Sequence, residues 1–155
     1  MATTDPLSGF LLTGKRALIT GAGGGIGRAL VSMFQAAGAT VMGADIKASA
    51  MDGLELADRL EFDLTNPDAI AEALAPLEGA GKSPDILISN AGFTRSESLD
   101  KVDRAVWDKE LAINLSGAFH VATPVVAAMA RRRIGGFHFD SQCARAFRQP
   151  GLFRG

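Results

Sequence analysis

The chain has 155 residues, of which 47% are hydrophobic and 21% charged, the balance of a single globular domain with a buried core. Its formal net charge of −1 gives no electrostatic footprint for nucleic acid or an anionic membrane surface, so neither is expected as a partner. Cys143 is the only cysteine, which excludes an intrachain disulfide. The opening residues lack the basic start and apolar core of a signal peptide, no run reaches roughly 18 apolar residues, and a cytoplasmic location is the expectation.

In chain order, residues 17 to 20 (ALIT) read as a buried strand running into TGAGGGIG. Ile26, Leu30, Phe34 and Ala37 then recur at helical spacing until Gly38 stops the helix. TVMGAD (40 to 45) is a second strand. A short helical stretch containing Leu54, Leu56 and Ala57 precedes a third strand at 60 to 63. Asn66 and Pro67 are an N-cap and a first helical residue, opening a helix that ends near Gly79. DILISN (85 to 90) is a fourth strand, apolar enough to be covered on both faces. A loop leads to a long helix over residues 104 to 132, with a kink expected at Pro124. Arg131, Arg132 and Arg133 read as cations complementing that helix's C-terminal dipole, and Gly135-Gly136 as its stop. Alternating strands and helices predict a doubly wound α/β domain around a parallel sheet.

Two glycine patterns compete for a phosphate. Gly9 to Arg16 has the spacing GxxxxGK, but Arg16 replaces the Ser/Thr that would hold magnesium, and the motif precedes the first strand. The second, TGAGGGIG, sits between strand and helix, where backbone N–H groups and the helix dipole can hold a pyrophosphate. Its spacing is GxxxGxG, from Gly21, Gly25 and Gly27. Asp45 ends the second strand 18 residues beyond Gly27, placed to accept hydrogen bonds from both ribose hydroxyls of an adenosine. A carboxylate there repels a 2′-phosphate, and neither Gly24 nor Ile46 supplies a cation to bind one, Lys47 being the nearest. NAD is therefore expected over NADP.

These residues resemble the short-chain dehydrogenase/reductase family from about Lys15 to Gly136. The likeness rests on Thr20-Gly21-Ala22-Gly23-Gly24-Gly25-Ile26-Gly27, Asp45, Asp63-Leu64, Asn90-Ala91-Gly92 and Asn114, in family order. It implies a Rossmann-type sheet, with Asp63 and Leu64 bordering the adenine, Asn90-Ala91-Gly92 beneath the cofactor, and Asn114 in a catalytic tetrad. It further implies hydride transfer between nicotinamide and a small alcohol or carbonyl substrate, and homo-oligomers among full-length members. Read singly, Asp63 is also a turn or capping aspartate, Asn90-Ala91-Gly92 a tight turn, and Asn114 a side chain bonding the backbone at a helix break.

The family's tyrosine general acid/base and the lysine four residues after it have no counterpart, for the sequence contains no tyrosine. The family's serine falls on Ser141 or Cys143. Cys143 lacks a base to make it a nucleophile, and His120 and His138 read as packing or surface residues. No metal-ligand spacing occurs. The expectation is one incomplete dinucleotide-binding domain, interrupted after about the fifth strand, with an atypical tail over 137–155 that places Asp140 and Gln142 where burial is expected. A one-nucleotide frame displacement over Gly136 to Gly155 can encode ASISIRSVRGRSGNRAYSA, which resembles the family's strand, serine and tyrosine. Trp107, Leu111, Leu115 and Phe119 recur every four residues and read as core packing, with a subunit-pairing face as the alternative.

Overall fold

The computed structural model describes residues 11–95 and 103–132 and the backbone of 136–139. Strands β1 (Arg16–Thr20), β2 (Thr40–Asp45), β3 (Asp58–Glu61), β4 (Ile86–Ser89) and β5 (Gly136–Phe139) form one sheet in the order β3-β2-β1-β4-β5. Every neighbouring pair is parallel, with Leu18 opposite both Met42 and Leu87 at the centre. Helices α1 (Gly25–Ala36), α2 (Pro67–Gly79), α3 (Arg104–Leu111) and α4 (Ala118–Arg132) connect them. A π-helical segment, Ala112–Gly117, joins α3 to α4.

Side chains alternate along a strand, so each central strand feeds two cores. Leu18, Met42 and Leu87 point to a layer built with Ile70, Leu74, Val121, Val125 and Met129 of α2 and α4. Their neighbours Ile19, Val41 and Ile88 point to the opposite layer, where Val31, Leu30 and Phe34 of α1 meet them. That is the doubly wound arrangement expected from the strand–helix alternation.

Local chemistry sets the helix ends. Asn66 Oδ1 accepts from the Ala69 N–H at 3.1 Å, with Pro67 as the first helical residue of α2. Asp103 caps α3 through the N–H groups of Ala105 and Val106. Gly38, at φ +88°, reverses the chain after α1.

Three features depart from the sequence reading. The predicted helical stretch at Leu54–Ala57 is not helical; the single helical turn lies earlier, at Ala48–Met51, and β3 begins at Asp58, two residues before the expected start at 60. Apolar Leu54 and Leu56 pack against the α1-side core from this irregular segment, which satisfies burial without a helix. The long helix is also interrupted by a π segment that the sequence pattern did not mark, ahead of Pro124, which lies within α4. Third, Trp107, Leu111, Leu115 and Phe119 are not core residues: each is 40% to 53% exposed. The buried face of α4 is instead Ala118, Val121, Ala122, Val125, Ala128 and Met129. Residues 104–132 are long and apolar enough to cross a bilayer by length and composition, but α4 packs on α2 and β4 of the domain.

The arginines at the end of α4 also do more than complement a dipole. Arg132 bonds buried Asp85 at 2.9 Å, and Asp85 in turn accepts from the Arg16 backbone N–H at 2.9 Å. Arg131 pairs with Glu78 of α2. The C-terminal end of the helix is thereby pinned to the starts of β1 and β4. Ser141, Cys143, Asp140, Gln142 and the tail from 140 to 155 lie outside the described residues.

Candidate functional site

Between β1 and β4 the strand order reverses, since β1 is followed on one side by β2 and on the other by β4. In an open parallel sheet this leaves a crevice beyond the carboxyl ends of the strands, because successive helices leave to opposite faces. Here that crevice is a cleft of about 840 Å³. All thirteen residues that sequence reading and family resemblance assigned to a cofactor line it: Thr20, Gly21, Gly23, Gly24, Gly25, Ile26 and Gly27 from the first loop, Asp45 from β2, Asp63 and Leu64 after β3, and Asn90, Ala91 and Gly92 after β4.

The glycines serve different ends. Gly21 is at φ +63°, and a Cβ there would lie 2.8 Å from the Ala91 Cα. A Cβ on Gly23 would lie 2.4 Å from the Ala50 carbonyl oxygen, and one on Gly27 only 2.0 Å from that of Gly21. These three are required by the protein's own backbone. Gly24 and Gly25 are different: a Cβ on Gly24 makes ordinary contact and one on Gly25 meets nothing within 4 Å. The bare surface they leave faces the cleft.

That surface carries unpaired donors. Gly24, the N-cap of α1, has no side chain to accept from the first turn, and the first turn holds no acidic residue. Among the described residues, the N–H groups of Gly25, Ile26 and Gly27 find no acceptor, whereas that of Arg28 reaches Gly24 O at 2.9 Å. Three N–H dipoles at the positive end of a 12-residue helix make a seat for an anion.

Asp45 closes one side. Its Oδ2 accepts from the Gly23 N–H at 3.0 Å and its Oδ1 from the Ile46 N–H at 2.8 Å, which fixes the carboxylate against the glycine loop. Arg28, which sequence reading passed over, reinforces this rim. Its Nε donates to Gly23 O at 3.0 Å, and one terminal nitrogen donates to Ala50 O at 2.7 Å and Asp52 O at 3.1 Å. A cation one turn into a helix that opens on a glycine loop was the available signal.

At the centre, Thr20 Oγ1 accepts from the N–H groups of Asn90 and Ala91, each at 3.1 Å. Asn90 Nδ2 returns a bond to Thr20 O at 3.0 Å. This reciprocal clamp locks the ends of β1 and β4 together, so Asn90 shapes the cleft floor by its backbone bonds.

The third rim carries Asp63 and Leu64. Asp63 Oδ1 accepts from both the N–H and the hydroxyl of Thr65 at 2.8 Å, the turn role that its residue type allows. Those two bonds, the backbone one foremost, hold the Asp63 carboxyl below the ordinary 3.8, with burial opposing and the Lys109 charge assisting. Its Oδ2 and the Leu64 N–H have no partner among the described residues. From the other side, His120 Nδ1–H donates to Leu64 O at 3.1 Å, and Gly117 leaves room for Leu64, whose Cβ would stand 2.7 Å from an added Cβ. His120, expected to be a packing or surface residue, thus anchors this rim.

Asn114 does not line the cleft. It sits in the π segment, where Oδ1 accepts from the Phe93 N–H and Nδ2 donates to Phe93 O, both at 2.7 Å. Its side chain is spent on the loop after Gly92, the backbone-bonding role at a helix break. Glu110 holds the same loop through the Arg95 N–H at 2.6 Å. Among the described residues, no group of three His, Cys, Asp or Glu side chains is arranged for a metal.

Comparison with known proteins identifies the fold and its lineage. The family model described as short chain dehydrogenase matches residues 15–136. A 3-oxoacyl-(acyl-carrier-protein) reductase of Thermotoga maritima is 33% identical over 90% of this chain and 60% of its own length. A short-chain type dehydrogenase/reductase from Mycobacterium marinum superposes with a TM-score of 0.80 at 28% identity, over 88% of this chain and 59% of that one. A gluconate 5-dehydrogenase from Burkholderia cenocepacia, solved with NADP and tartrate, gives a TM-score of 0.76 at 32% identity, over 84% of this chain and 54% of that one. The chain therefore spans roughly three-fifths or less of the length of these relatives. A matching family model over most of the sequence, joined to a parallel sheet whose reversal point opens on a glycine loop, makes this chain a member of the short-chain dehydrogenase family of oxidoreductases.

Proposed function

We propose that this chain is the NAD-binding portion of an enzyme that moves hydride between nicotinamide and a small alcohol or carbonyl substrate. The observation that carries the reading is the set of acceptorless N–H groups of Gly25, Ile26 and Gly27 beneath the bare surface of Gly24 and Gly25. A pyrophosphate seated there gains roughly 0.3 to 2 kcal/mol from the helix dipole. Its adenosine ribose then falls toward Asp45, and its adenine toward Asp63 and Leu64. When bound, the nicotinamide supplies or accepts the hydride; the chain's part is to hold and orient it.

NAD is favoured over NADP by Asp45, whose carboxylate is fixed at the rim and repels a 2′-phosphate. The Burkholderia relative was solved with NADP, so the preference rests on this chain's own aspartate. With no tyrosine in the sequence, these 155 residues bind dinucleotide without turning it over. Asn114, by holding Phe93, and Ser141, by position in the family, are the residues assigned to the catalytic end.

Calorimetric titration tests this. NADH is expected to bind at least about tenfold more tightly than NADPH, the scale of one unfavourable charge contact, and Asp45→Ala to close that gap. A parent chain that prefers NADPH would end the NAD assignment, and one that binds neither would end the cofactor reading.

A further inference from the structure

Lys109 is the one cation among the described residues that line the cleft, and neither sequence spacing nor the family resemblance assigns it a role. It sits in α3 one helical turn before Ile113, another cleft residue, so both project to the same side of the helix. Its Nζ lies 5.0 Å from the centre of the Phe93 ring, within the range at which an ammonium is drawn to an aromatic face. Phe93 is itself fixed by Asn114 through both of its backbone groups, so the ring that receives Lys109 stands on a braced loop. Lys109 and Asp63 line the same cleft without forming an ion pair, and the Lys109 charge helps hold that carboxyl below its ordinary range.

We propose that Lys109 recognises a ring nitrogen of the adenine, completing with Asp63 and Leu64 a donor–acceptor–donor row along the edge of the base. This rests on the cofactor reading above. Adenine presents an acceptor, N7, a donor, the 6-amino group, and a second acceptor, N1, in sequence along one edge. The unpartnered Oδ2 of Asp63 suits the amino group, and the unpartnered Leu64 N–H suits N1. The nitrogen left on the far side of the amino group, N7, needs a donor. Lys109, with three N–H bonds and no acceptor, is the one cation among the described residues that line the same cleft as Asp63.

The experiment is calorimetric titration of NADH and of its counterpart carrying 7-deazaadenine, in which N7 is replaced by carbon. The parent chain, Lys109→Met and Lys109→Arg are compared. Lys109 is exposed on α3, so neither substitution disturbs a core. Loss of one charged hydrogen bond predicts that Lys109→Met binds NADH about tenfold more weakly, while Lys109→Arg recovers most of the affinity. The parent is expected to bind the deaza dinucleotide about tenfold more weakly than NADH, and Lys109→Met not to distinguish the two. A Lys109→Met chain that binds NADH as the parent does, or a weakened one that still prefers NADH to the deaza form, overturns the Lys109 assignment alone. A parent chain that takes up no NADH overturns the cofactor reading and this proposal with it.

Discussion

Two glycines that look alike in TGAGGGIG have unlike reasons to be there. Gly27 is compelled by the Gly21 carbonyl, whereas Gly25 borders open space. Gly27→Val therefore cannot fold as the parent does, and Gly25→Val is expected to fold and to lose dinucleotide affinity; circular dichroism and calorimetry on the two variants separate these outcomes. The sequence showed that something crowds this loop, but only the approach of Ala50 and Ala91 reveals that part of the crowding is internal. Asp63 offers a second prediction. Its carboxyl is held low chiefly by Thr65, so Thr65→Val, which removes the hydroxyl bond, is expected to move its midpoint up toward 3.8 in a carbon-detected NMR titration. Because the folded value is depressed, the stabilisation that Asp63 gives is present above 3.8 and is lost as pH falls through the lowered midpoint. Asp63, Leu64 and Asn90 were legible through their motif order. Arg28 and Lys109 were not, because a helical cation is ordinarily a solvated one, and its partners here come from distant loops.

At the scale of elements, strands and helices were readable where burial demanded a clear period. β1, β2 and β4 are buried on both faces and stand where their apolar runs placed them, to within a residue at either end. β3 is an edge strand with only Leu60 buried, so its charged neighbours Asp58, Arg59 and Glu61 gave no apolar run to mark its start. The π segment was invisible for another reason. A wide turn has no composition of its own, and it is sustained here by Asn114, Gly117 and their distant partners Phe93 and Leu64. The arginine cluster shows the same limit, since its target, Asp85, lies 47 residues away. Asp85→Ala leaves the Arg16 N–H without its acceptor and the Arg132 guanidinium half-buried without its counter-charge. It is expected to cost about 2–3 kcal/mol in urea denaturation, discounted from a fully buried pair because both arginines reach solvent.

Across the whole molecule, the long helix presents two unlike faces. Lys109, Ile113, Gly117 and His120 serve the cleft, while Trp107, Leu111 and Leu115 stand outside it among the exposed large apolar side chains. Such a patch favours association, so light scattering is expected to show mass rising with concentration, and Leu111→Lys with Leu115→Lys to suppress the rise. A parent chain of constant mass would contradict this. The overall architecture was legible because strand–helix alternation admits few arrangements, whereas the outward turn of this stripe was not: a four-residue recurrence marks a face without saying what it faces. The cleft's third rim depends on that same helix carrying one residue more per turn than its neighbours between Ala112 and Gly117. Deleting a single residue there would restore a regular spiral with its downstream face nearly unturned, yet remove the wide turn that aims Asn114 at Phe93 and sets Gly117 beneath Leu64. The loop after Gly92 would lose both bonds from Asn114, and a locally better helix would leave that wall of the pocket unmoored.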